Sequence, residues 1–482
     1  MVVISMLFAG CKTNDGDVSS KETASKDTTS LSNTEEVDKY QEEGHPTLPE
    51  SLDLGGFEMT YAVFEPWQII PEEGISAEGD LILEALREVQ ETYNCVISVR
   101  QVDVTEWDTA MTAIVAGEEF ANVIMPRIHQ SGGFLQSRLC ADYLSPEISK
   151  YIDMDNPWWN DTMAYASNVL GSVYAGCSAI VCPADSTYIT FFNANILKEI
   201  GVQPEELYDL WEKKEWTWDA FVKYAKMANK DLDGSGAMDS VEDRWGFVCP
   251  GYDTAQAFCS SASVASCTTT DGMNPTYSFN TAHCISTLTK LNKIFTTEGI
   301  YTNLSWGNNI PMFTSGKGLF WFAGLAMVGY QSIREMEDDF GILPMPLGPK
   351  AEGGWQDEYM SRVDHNTNLC IIPVTVSNKE YTALVLEAMT FKYFTIINEK
   401  VDTYANLYCR DDKSVEVANT IYNTSRFEIS QFLYGINGGA YNAGVETKIR
   451  DIVNIANYDV SGQMNSCADL AQQMIDDYFN GL

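Results

Sequence analysis

The sequence predicts an α/β fold with more than one lobe, built around a largely parallel sheet. Strand-like segments alternate with segments of helical periodicity from Leu54 onward, and this alternation is typical of parallel sheets covered by helices. The chain has 482 residues, of which 45% are hydrophobic, so it can bury a core larger than that of one small domain. Ligands of such folds bind beyond the carboxyl ends of the strands.

The first elements follow from their residue patterns. The predicted strands are "GGFEMTYAVF" (55–64), "VISVRQV" (96–102) and "FANVIM" (120–125). Apolar residues at helical spacing predict helices between them, one running to Tyr93 and one marked by Trp107, Met111 and Ile114. Farther on, Thr217 is placed to cap a helix that begins at Trp218, with Asp219 favouring its positive end.

The charge balance excludes one class of partner. The chain carries 30 basic and 68 acidic residues, a net charge of −38, so it repels nucleic acid. No run of eighteen apolar residues predicts a membrane-spanning helix. Aromatic residues make up 12% of the chain, which suits a site that holds a ligand against ring faces.

The first residues resemble a bacterial lipoprotein signal. "MVVISMLFAGC" is apolar up to Cys11, and small residues precede that cysteine. We therefore predict a signal remnant over 1–11, lipidation of Cys11, and a disordered tether over 12–53, which is rich in Ser, Thr, Asp, Glu and Lys. The predicted location is the extracellular face of the cell membrane. The alternative is a frayed apolar N-terminus.

The twelve cysteines form no C-x-x-C pair, and the closest two are Cys177 and Cys182. Such scattered spacing in a chain with its own core favours buried, reduced thiols, although disulfides are possible outside the cell. We expect no zinc site.

Several blocks in a fixed order resemble a known family. They are "AGEEFANVIM" (116–125), "IDMDNPWWNDTMAYASNVLGSVYA" (152–175), "FFNANILKEIGVQPEELYDLWEKKEWTWDAFVKYAKMANKDLDG" (191–234), "MFTSGKGLFWFAG" (312–324) and "FGILPMPLGP" (340–349). Together they resemble the extracellular solute-binding proteins of ABC importers, in the sugar-binding group that includes maltodextrin-binding protein. The resemblance runs from about residue 56 to the end of the chain.

The resemblance implies a type II periplasmic-binding-protein-like fold, with two α/β lobes and hinge strands between them. By analogy the chain crosses between lobes near 184–190, 313–322 and 366–373. Lobe one is then expected at 55–187 plus 318–367, and lobe two at 188–317 plus 368–482. The implied function is capture of a carbohydrate, expected to be an oligosaccharide, by a monomer that delivers it to a membrane permease.

Candidate ligand contacts lie in loops after strands or at the expected crossings. They are Trp67, Arg127, Tyr252, Asp253, Trp306, Trp321, Asp364 and Asn366. Aromatic rings stack on sugar C–H faces, and Asp, Asn and Arg hydrogen-bond hydroxyls. Trp67 and Trp321 are the preferred candidates, while each position has a structural alternative.

Two other functions remain open at this stage. A secreted glycosidase needs a pair of carboxyl groups, and 68 acidic residues offer too many pairs for spacing to select one. No G-x-S-x-G, H-E-x-x-H or Gly-rich phosphate loop occurs, so we predict no catalysis. A binding protein for peptides or other solutes is the second alternative.

"DLDGSGAMDSVE" (231–242) has the ligand spacing of a twelve-residue calcium loop, with Gly236 at the sharp turn. The predicted ligands are Asp231, Asp233, Ser235, the carbonyl of Ala237, Asp239 and Glu242. Because a helix enters this loop and a strand leaves it, we predict a structural calcium ion and not a calcium sensor. The alternative is an exposed Asp-Gly turn.

Overall fold

The computed structural model describes residues 48–103, 105–159, 168–169, 171–181, 183–239, 241–269, 275–433 and 444–479. Its strands are β1 Phe57–Val63, β2 Cys95–Gln101, β3 Val123–Met125, β4 Asn168–Val169, β5 Ser172–Val173, β6 Tyr188–Asn193, β7 Trp245–Cys249, β8 Cys267–Thr269, β9 Pro275–Tyr277, β10 Tyr301–Asn303, β11 Gly318–Gly324, β12 Phe340–Pro344, β13 Ser361–Arg362 and β14 Ser425–Arg426.

The helices follow the strands in alternation over much of the chain. They are α1 Ala77–Tyr93, α2 Trp107–Val115, α3 Ile128–Gln136, α4 Pro146–Ser149, α5 Ala194–Glu199, α6 Pro204–Glu212, α7 Trp218–Ala228, α8 Gly251–Ser261, α9 Ala282–Phe295, α10 Trp306–Thr314, α11 Gln331–Arg334, α12 Lys379–Tyr408, α13 Asp412–Thr424, α14 Val445–Asn454, α15 Val460–Ser466 and α16 Ala468–Phe479. Among the described residues, none of these helices combines the length and the apolar character that a membrane crossing needs.

The first lobe is built on a parallel sheet of three strands in the order β2-β1-β3. Met59 and residues 61–63 of β1 are buried, and α12 packs against this strand while α1 packs against β2. The side chain of Ser76 accepts a hydrogen bond from the backbone N–H of Gly79 and so fixes the start of α1. The chain leaves the carboxyl ends of β1 and β3 at Phe64 and Pro126, on the same edge of the sheet.

The second lobe is built on a mixed sheet of five strands in the order β10-β7-β11-β6-β12. β10, β7 and β11 are parallel, and β6 is antiparallel to both β11 and β12. The predicted cap of α7 is present, since the side chain of Thr217 accepts from the N–H of Ala220 at 3.2 Å. Trp216 and Trp218 on either side of it are fully buried.

The chain crosses between the lobes differently from the expectation. Residues 318–367 are expected in lobe one. In the structure, β11 and β12, which lie in this range, pair with β7 and β6 of the second lobe. β11 is buried along almost its whole length, because α7 and α10 pack against it. The crossing predicted near 313–322 is therefore wrong.

Residues 368–373 also belong elsewhere than expected. The expectation places them in lobe two. In the structure they form β-bridges with three residues of the first lobe: Ile371 with Ile124, Cys370 with Gly176, and Pro373 with Cys140. The thirty-residue helix α12 then packs against α1 of the first lobe and α13 of the second. Arg410, just beyond this helix, donates to carbonyl oxygens of Met336 and Asp338 in the second lobe.

The folded region begins earlier than the predicted end of the tether at residue 53. The hydroxyl of Tyr93 donates to the carbonyl oxygen of Pro49 at 3.0 Å, and Leu48 and Leu52 pack against the core. These two leucines are apolar enough to dock on the first lobe. Residues 1–47, which include Cys11 and most of the predicted tether, lie outside the described residues.

Nine of the ten described cysteines are buried. Burial raises the pKa of the Cys95 and Cys370 thiols to about 11. Thiols with such pKa values stay protonated at neutral pH and act as small apolar side chains.

Candidate functional site

A cavity of about 500 Å³ lies where the segments that join the two lobes meet the second sheet. Its lining residues are Asp185, Ser186, Tyr188, Tyr252, Asp253, Gly324, Ala326, Met327, Asp364, His365, Asn366 and Arg450. The volume lies within the range of small-molecule sites, about 300 to 1,000 Å³. Two tyrosine rings, three carboxylates and one guanidinium face the same space.

The crossing segments form the floor of this cavity. The N–H of Asp364 donates to the carbonyl oxygen of Ser186 at 2.9 Å, and Thr187 bridges Val363. At the end of β11, a Cβ placed on Gly324 would lie 2.7 Å from the carbonyl oxygen of Asp185. Glycine at position 324 therefore allows the end of β11 to approach the first crossing closely.

Asp364 is held ionised in a tight turn. Its Oδ1 accepts from the backbone N–H and from Nδ2 of Asn366, each at 2.7 Å. Burial opposes ionisation, but the Arg362 guanidinium and these hydrogen bonds hold the pKa of Asp364 below its ordinary value. Burial lowers the pKa of His365 to about 4, so His365 is neutral at pH 7.

Residues of the first lobe reach the same turn. Nη1 of Arg127 donates to Oδ1 of Asn366 at 3.3 Å, and the Arg127 guanidinium lies 5.2 Å from the centre of the Phe64 ring. Nδ1 of His129 lies 3.0 Å from the carbonyl oxygen of His365. The turn at 364–366 is thus contacted by residues that follow β3, and one of them, Arg127, packs on Phe64 after β1.

Tyr252 and Asp253 lie in the first turn of α8, directly after the carboxyl end of β7. An acidic residue there is favoured by the positive end of the helix. The Arg450 guanidinium covers one face of the Tyr252 ring, 4.3 Å from its centre. Arg450 is on α14, which packs against α8.

The structure brings four of the eight predicted ligand contacts together. Tyr252, Asp253, Asp364 and Asn366 all line the cavity, and Arg127 contacts Asn366 from the first lobe. Tyr252 and Asp253 follow a strand, and Asp364 and Asn366 lie at the start of the third expected crossing. Their position in loops is what predicted them as ligand contacts.

Trp67 and Trp306 stay predictions. The Trp67 side chain is 61% exposed in the turn after β1, and its neighbour Gln68 accepts from Nδ2 of Asn368 at 3.0 Å. Trp67 is therefore near the crossing but does not line the cavity. Trp306 begins α10, and its side chain lies outside what the structure describes.

Trp321 was a preferred candidate, and the structure contradicts that prediction. Its side chain is 0% exposed, and its ring stacks on Phe313 with 5.5 Å between centres. α10, which carries Phe313, packs against β11 and covers the face from which the Trp321 side chain projects. Trp321 is a core residue of the second lobe.

Several lining residues were missed by sequence reasoning. They are Asp185, Ser186, Tyr188, Met327, His365 and Arg450. His365 could have been found, because it lies between two predicted residues, and Asp185 lies within the predicted first crossing at 184–190. Arg450 had no local signal, since its place depends on how α14 packs against α8.

The predicted calcium loop brings three carboxylates together, but only two of them, Asp231 and Asp233, belong to the four carboxylates that were predicted. One oxygen from each of Asp231, Asp233 and Asp243 lies within 4.8 Å of the others. Asp243 is fully buried and accepts from the backbone N–H groups of Leu232 and Asp239. These hydrogen bonds, not the spacing of the motif, place its carboxylate beside the loop.

The other predicted ligands are engaged elsewhere. Asp239 accepts from the backbone N–H groups of Val241 and Glu242, and Oε2 of Glu242 pairs with Nζ of Lys317 at 3.3 Å. Oγ of Ser235 donates to the carbonyl oxygen of Ala237 at 3.0 Å. The prediction that Asp239 and Glu242 converge with Asp231 and Asp233 is not met in this arrangement.

Solved structures share this fold. A cyclic α-maltosyl-1,6-maltose binding protein from Arthrobacter globiformis is 14% identical with a TM-score of 0.57, over 87% of this chain and 99% of that one. An ABC substrate-binding protein from Listeria monocytogenes, in complex with cycloalternan, is 12% identical with a TM-score of 0.53, over 87% and 99%. The maltose-binding periplasmic protein of Listeria monocytogenes, in complex with maltose, is 12% identical with a TM-score of 0.55, over 86% and 97%.

A sequence comparison with curated proteins gives no match. Residues 83–380, more than half of the chain, match the family described as bacterial extracellular solute-binding protein. The two sheets, the crossing segments and the cavity at their junction are consistent with that match. The chain belongs to the family of bacterial extracellular solute-binding proteins.

Proposed function

We propose that this protein captures a carbohydrate in the cavity at the junction of its lobes and delivers it to the permease of an ABC importer. The observation that carries the proposal is the cavity lining, in which two tyrosine rings lie beside Asp185, Asp253 and Asp364. Sugars present apolar C–H faces that suit aromatic rings and hydroxyl groups that donate to carboxylates. The structural relatives in complex with maltose and cycloalternan support the same ligand class.

Binding uses residues of both lobes. Sugar hydroxyls donate to Asp253 and Asp364, and the Tyr252 ring packs against a ring of the sugar. Arg127 adds a first-lobe contact through Asn366. Because the ligand gains contacts from both lobes only when they are together, it stabilises the closed arrangement. A permease can recognise that arrangement.

The first experiment is a thermal-shift panel of oligosaccharides and peptides, followed by calorimetry on each compound that raises the melting temperature. A carbohydrate is expected to bind saturably and to be recovered intact. Cleavage of the sugar at a catalytic rate would support a glycosidase instead. A response to peptides alone would reject carbohydrate as the ligand class.

Substitutions at Tyr252 locate the binding. Tyr252→Ala removes the ring and is expected to weaken sugar affinity about tenfold, a loss of about 1.4 kcal/mol. Tyr252→Phe keeps the ring face and serves as the matched control. Equal affinities for the two variants and the parent would place the sugar away from this cavity.

Membrane attachment is the second part of the proposal. Lipidation of Cys11 would tether the folded region to the extracellular face of the membrane through the residues that follow it. Cys11→Ser is expected to release the full-length protein into the medium. Unchanged membrane association of that variant would reject Cys11 as the anchor.

We also propose a structural calcium ion held by Asp231, Asp233 and Asp243. The observation that supports it is the convergence of the three carboxylates within 4.8 Å. Carboxylate oxygens are the ligands calcium prefers, and a divalent cation offsets the repulsion among three like charges. The ion would fix the loop between α7 and β7 in the second lobe, away from the ligand cavity.

A further inference from the structure

We propose that a second, smaller cavity, lined by Arg362 and Gln256, binds a small monovalent anion of the size of chloride. This cavity measures about 40 Å³. It lies beside the first cavity, which is assigned to the ligand, and Tyr252 lines both of them. The anion site is a property of the folded chain that does not depend on the proposed carbohydrate function.

The second cavity lies between the third crossing and a helix of the second lobe. β13, which ends at Arg362, pairs in parallel with β14 and packs against α8, the helix that carries Gln256. The N–H of Val363 donates to the carbonyl oxygen of Arg426 at 3.1 Å. These contacts fix the backbone on both sides of the cavity and so hold Arg362 and Gln256 within its lining.

Arg362 is a buried cation whose donors lack acceptors. Its side chain is 1% exposed, and among the described residues its Nε and Nη1 have no hydrogen-bond partner. A charge that is removed from water is strongly destabilised unless a group of opposite charge replaces the water. Because Nε and Nη1 are both unpartnered, no carboxylate of the described chain forms the two-pronged pair that a guanidinium usually makes when buried.

A third donor in the cavity is in the same state. Nε2 of Gln256 is buried and has no hydrogen-bond partner among the described residues, and Gln256 lines the cavity together with Arg362. Three nitrogen donors, two of them on a cation, therefore need an acceptor within one small space. An anion supplies both the acceptor and the missing charge.

The two carboxyl groups nearest to Arg362 do not take this role. Oδ1 of Asp364 accepts from the backbone N–H and Nδ2 of Asn366, on the side of the first cavity. Glu428 lines the second cavity, where its Oε2 accepts from Oγ of Ser430 at 3.2 Å. Burial raises the pKa of Glu428 and so favours its neutral form, which adds an O–H donor beside the proposed anion.

The size and the walls of the cavity restrict the ligand. A cavity needs about 10 to 15 Å³ to hold one water molecule, so this one has room for a monatomic anion but not for a bulky oxyanion. Val264, Phe279 and Ile449 are buried apolar residues in its wall, and hydrogen bonds are stronger in such a surrounding than in water. Ordered water offers acceptors without the charge, and it is the alternative that the test separates.

The first test is thermal unfolding of the sugar-free protein at constant sodium concentration and ionic strength, with chloride replacing methanesulfonate. Methanesulfonate has the same charge as chloride but is too large for the cavity. At chloride about 100-fold above its dissociation constant, the melting temperature is expected to be about 5 °C higher, and the rise should saturate. Equal melting temperatures in the two salts would overturn the inference and leave water in the cavity.

A charge substitution locates the ion. Gln256→Glu places a carboxylate of nearly the same shape beside Arg362, so the variant is expected to lose the response to chloride. In methanesulfonate it should melt close to the parent protein in chloride. Gln136→Glu, at an exposed position on α3, adds the same charge elsewhere and should respond as the parent does. A full chloride response in Gln256→Glu would place the ion at another position and overturn the inference.

A crystallographic measurement does not depend on the folding of any variant. Crystals of the parent protein are soaked in bromide at the concentration that saturates the thermal response, and an anomalous peak is expected in contact with Arg362 and Gln256. No peak there would reject the site. A peak that forms only at much higher bromide concentration would be an adventitious ion only and would also reject it. None of these outcomes changes the proposed carbohydrate function, which the sugar panel tests separately.

Discussion

The indole Nε1 of Trp321 donates a 2.9 Å hydrogen bond to Oδ1 of Asn309. Both side chains are fully buried, so the bond joins β11 to α10 inside the second lobe. A buried indole N–H needs an acceptor, and Asn309 provides it. The pair explains why a tryptophan with a polar edge is stable in a core, and it removes Trp321 from the ligand contacts.

The first prediction follows from that pair. Trp321→Ala leaves a cavity and an unpartnered amide oxygen, so it is expected to lower the free energy of unfolding by about 3 to 5 kcal/mol. Chemical denaturation measures this change. Any variant that still folds is expected to bind sugar as the parent does. Weakened sugar binding without a loss of stability would contradict this prediction and show that Trp321 contacts the ligand.

The second prediction concerns Trp67. With 61% of its side chain exposed, Trp67→Ala is expected to change the free energy of unfolding by less than about 0.5 kcal/mol. If Trp67 closes over the ligand from the first lobe, the same variant weakens sugar binding, and calorimetry detects it. Unchanged affinity would remove Trp67 from the contacts, and a large stability loss would show that it packs against the core.

The third prediction is a pH dependence of stability from Glu387. Its carboxylate oxygens accept from Nε1 of Trp158 at 2.6 Å and of Trp159 at 2.7 Å, and burial raises the pKa of Glu387 from 4.5 to about 8. Because the folded state binds the proton more tightly than the unfolded state, the contribution to stability is fully present below pH 4.5. It is lost as pH rises toward 8.

Denaturation curves at pH 5 and pH 8 check this contribution, and each unit of pKa difference corresponds to about 1.4 kcal/mol. Glu387→Gln is expected to make the change between the two pH values smaller than in the parent protein. The exposed Glu84 on α1 gives the control, Glu84→Gln, for which the change should equal that of the parent. Identical pH dependence in Glu387→Gln and the parent would contradict the prediction.

The fourth prediction concerns ligand charge. Asp185, Asp253 and Asp364 line the first cavity with Arg450 as the facing cation. A carboxylate on the sugar would therefore meet a net negative surface, and a uronic acid analogue of a bound neutral sugar is expected to bind at least about tenfold more weakly. Calorimetry at low and high salt measures the ratio, which should shrink as salt screens the charges. Tighter binding of the acidic analogue would contradict this assignment.

The fifth prediction tests the calcium site. At calcium 100-fold above its dissociation constant, the stabilisation is about 2.7 kcal/mol, which raises the melting temperature of a lobe-sized unit by about 5 to 10 °C. Chelation is expected to reverse that rise, and Asp233→Asn to abolish the effect of chelation. Glu242→Gln is the matched control, because Glu242 pairs with Lys317. No response of the parent to chelation would leave the loop as a turn.

Local patterns in the sequence were sufficient to predict several strands and helices and some of the residues that line the ligand cavity. Alternation and helical spacing predicted β1, β2, β3 and α1 close to their observed bounds. The cap at Thr217 was predicted because capping involves residues only three positions apart. Tyr252 and Asp253 could be named because a loop after a parallel strand is near ligands in most folds of this class.

The tertiary structure decided which lobe each strand joins and which side chains share a space. The sequence of β11 does not show that α10 packs against it, so Trp321 could not be separated from a ligand contact by pattern alone. Arg450 reaches Tyr252 only because α14 packs against α8. Asp243 joins Asp231 and Asp233 through backbone hydrogen bonds that the calcium spacing does not encode. Periodicity reports which residues are buried locally, whereas these arrangements depend on long-range packing between distant segments.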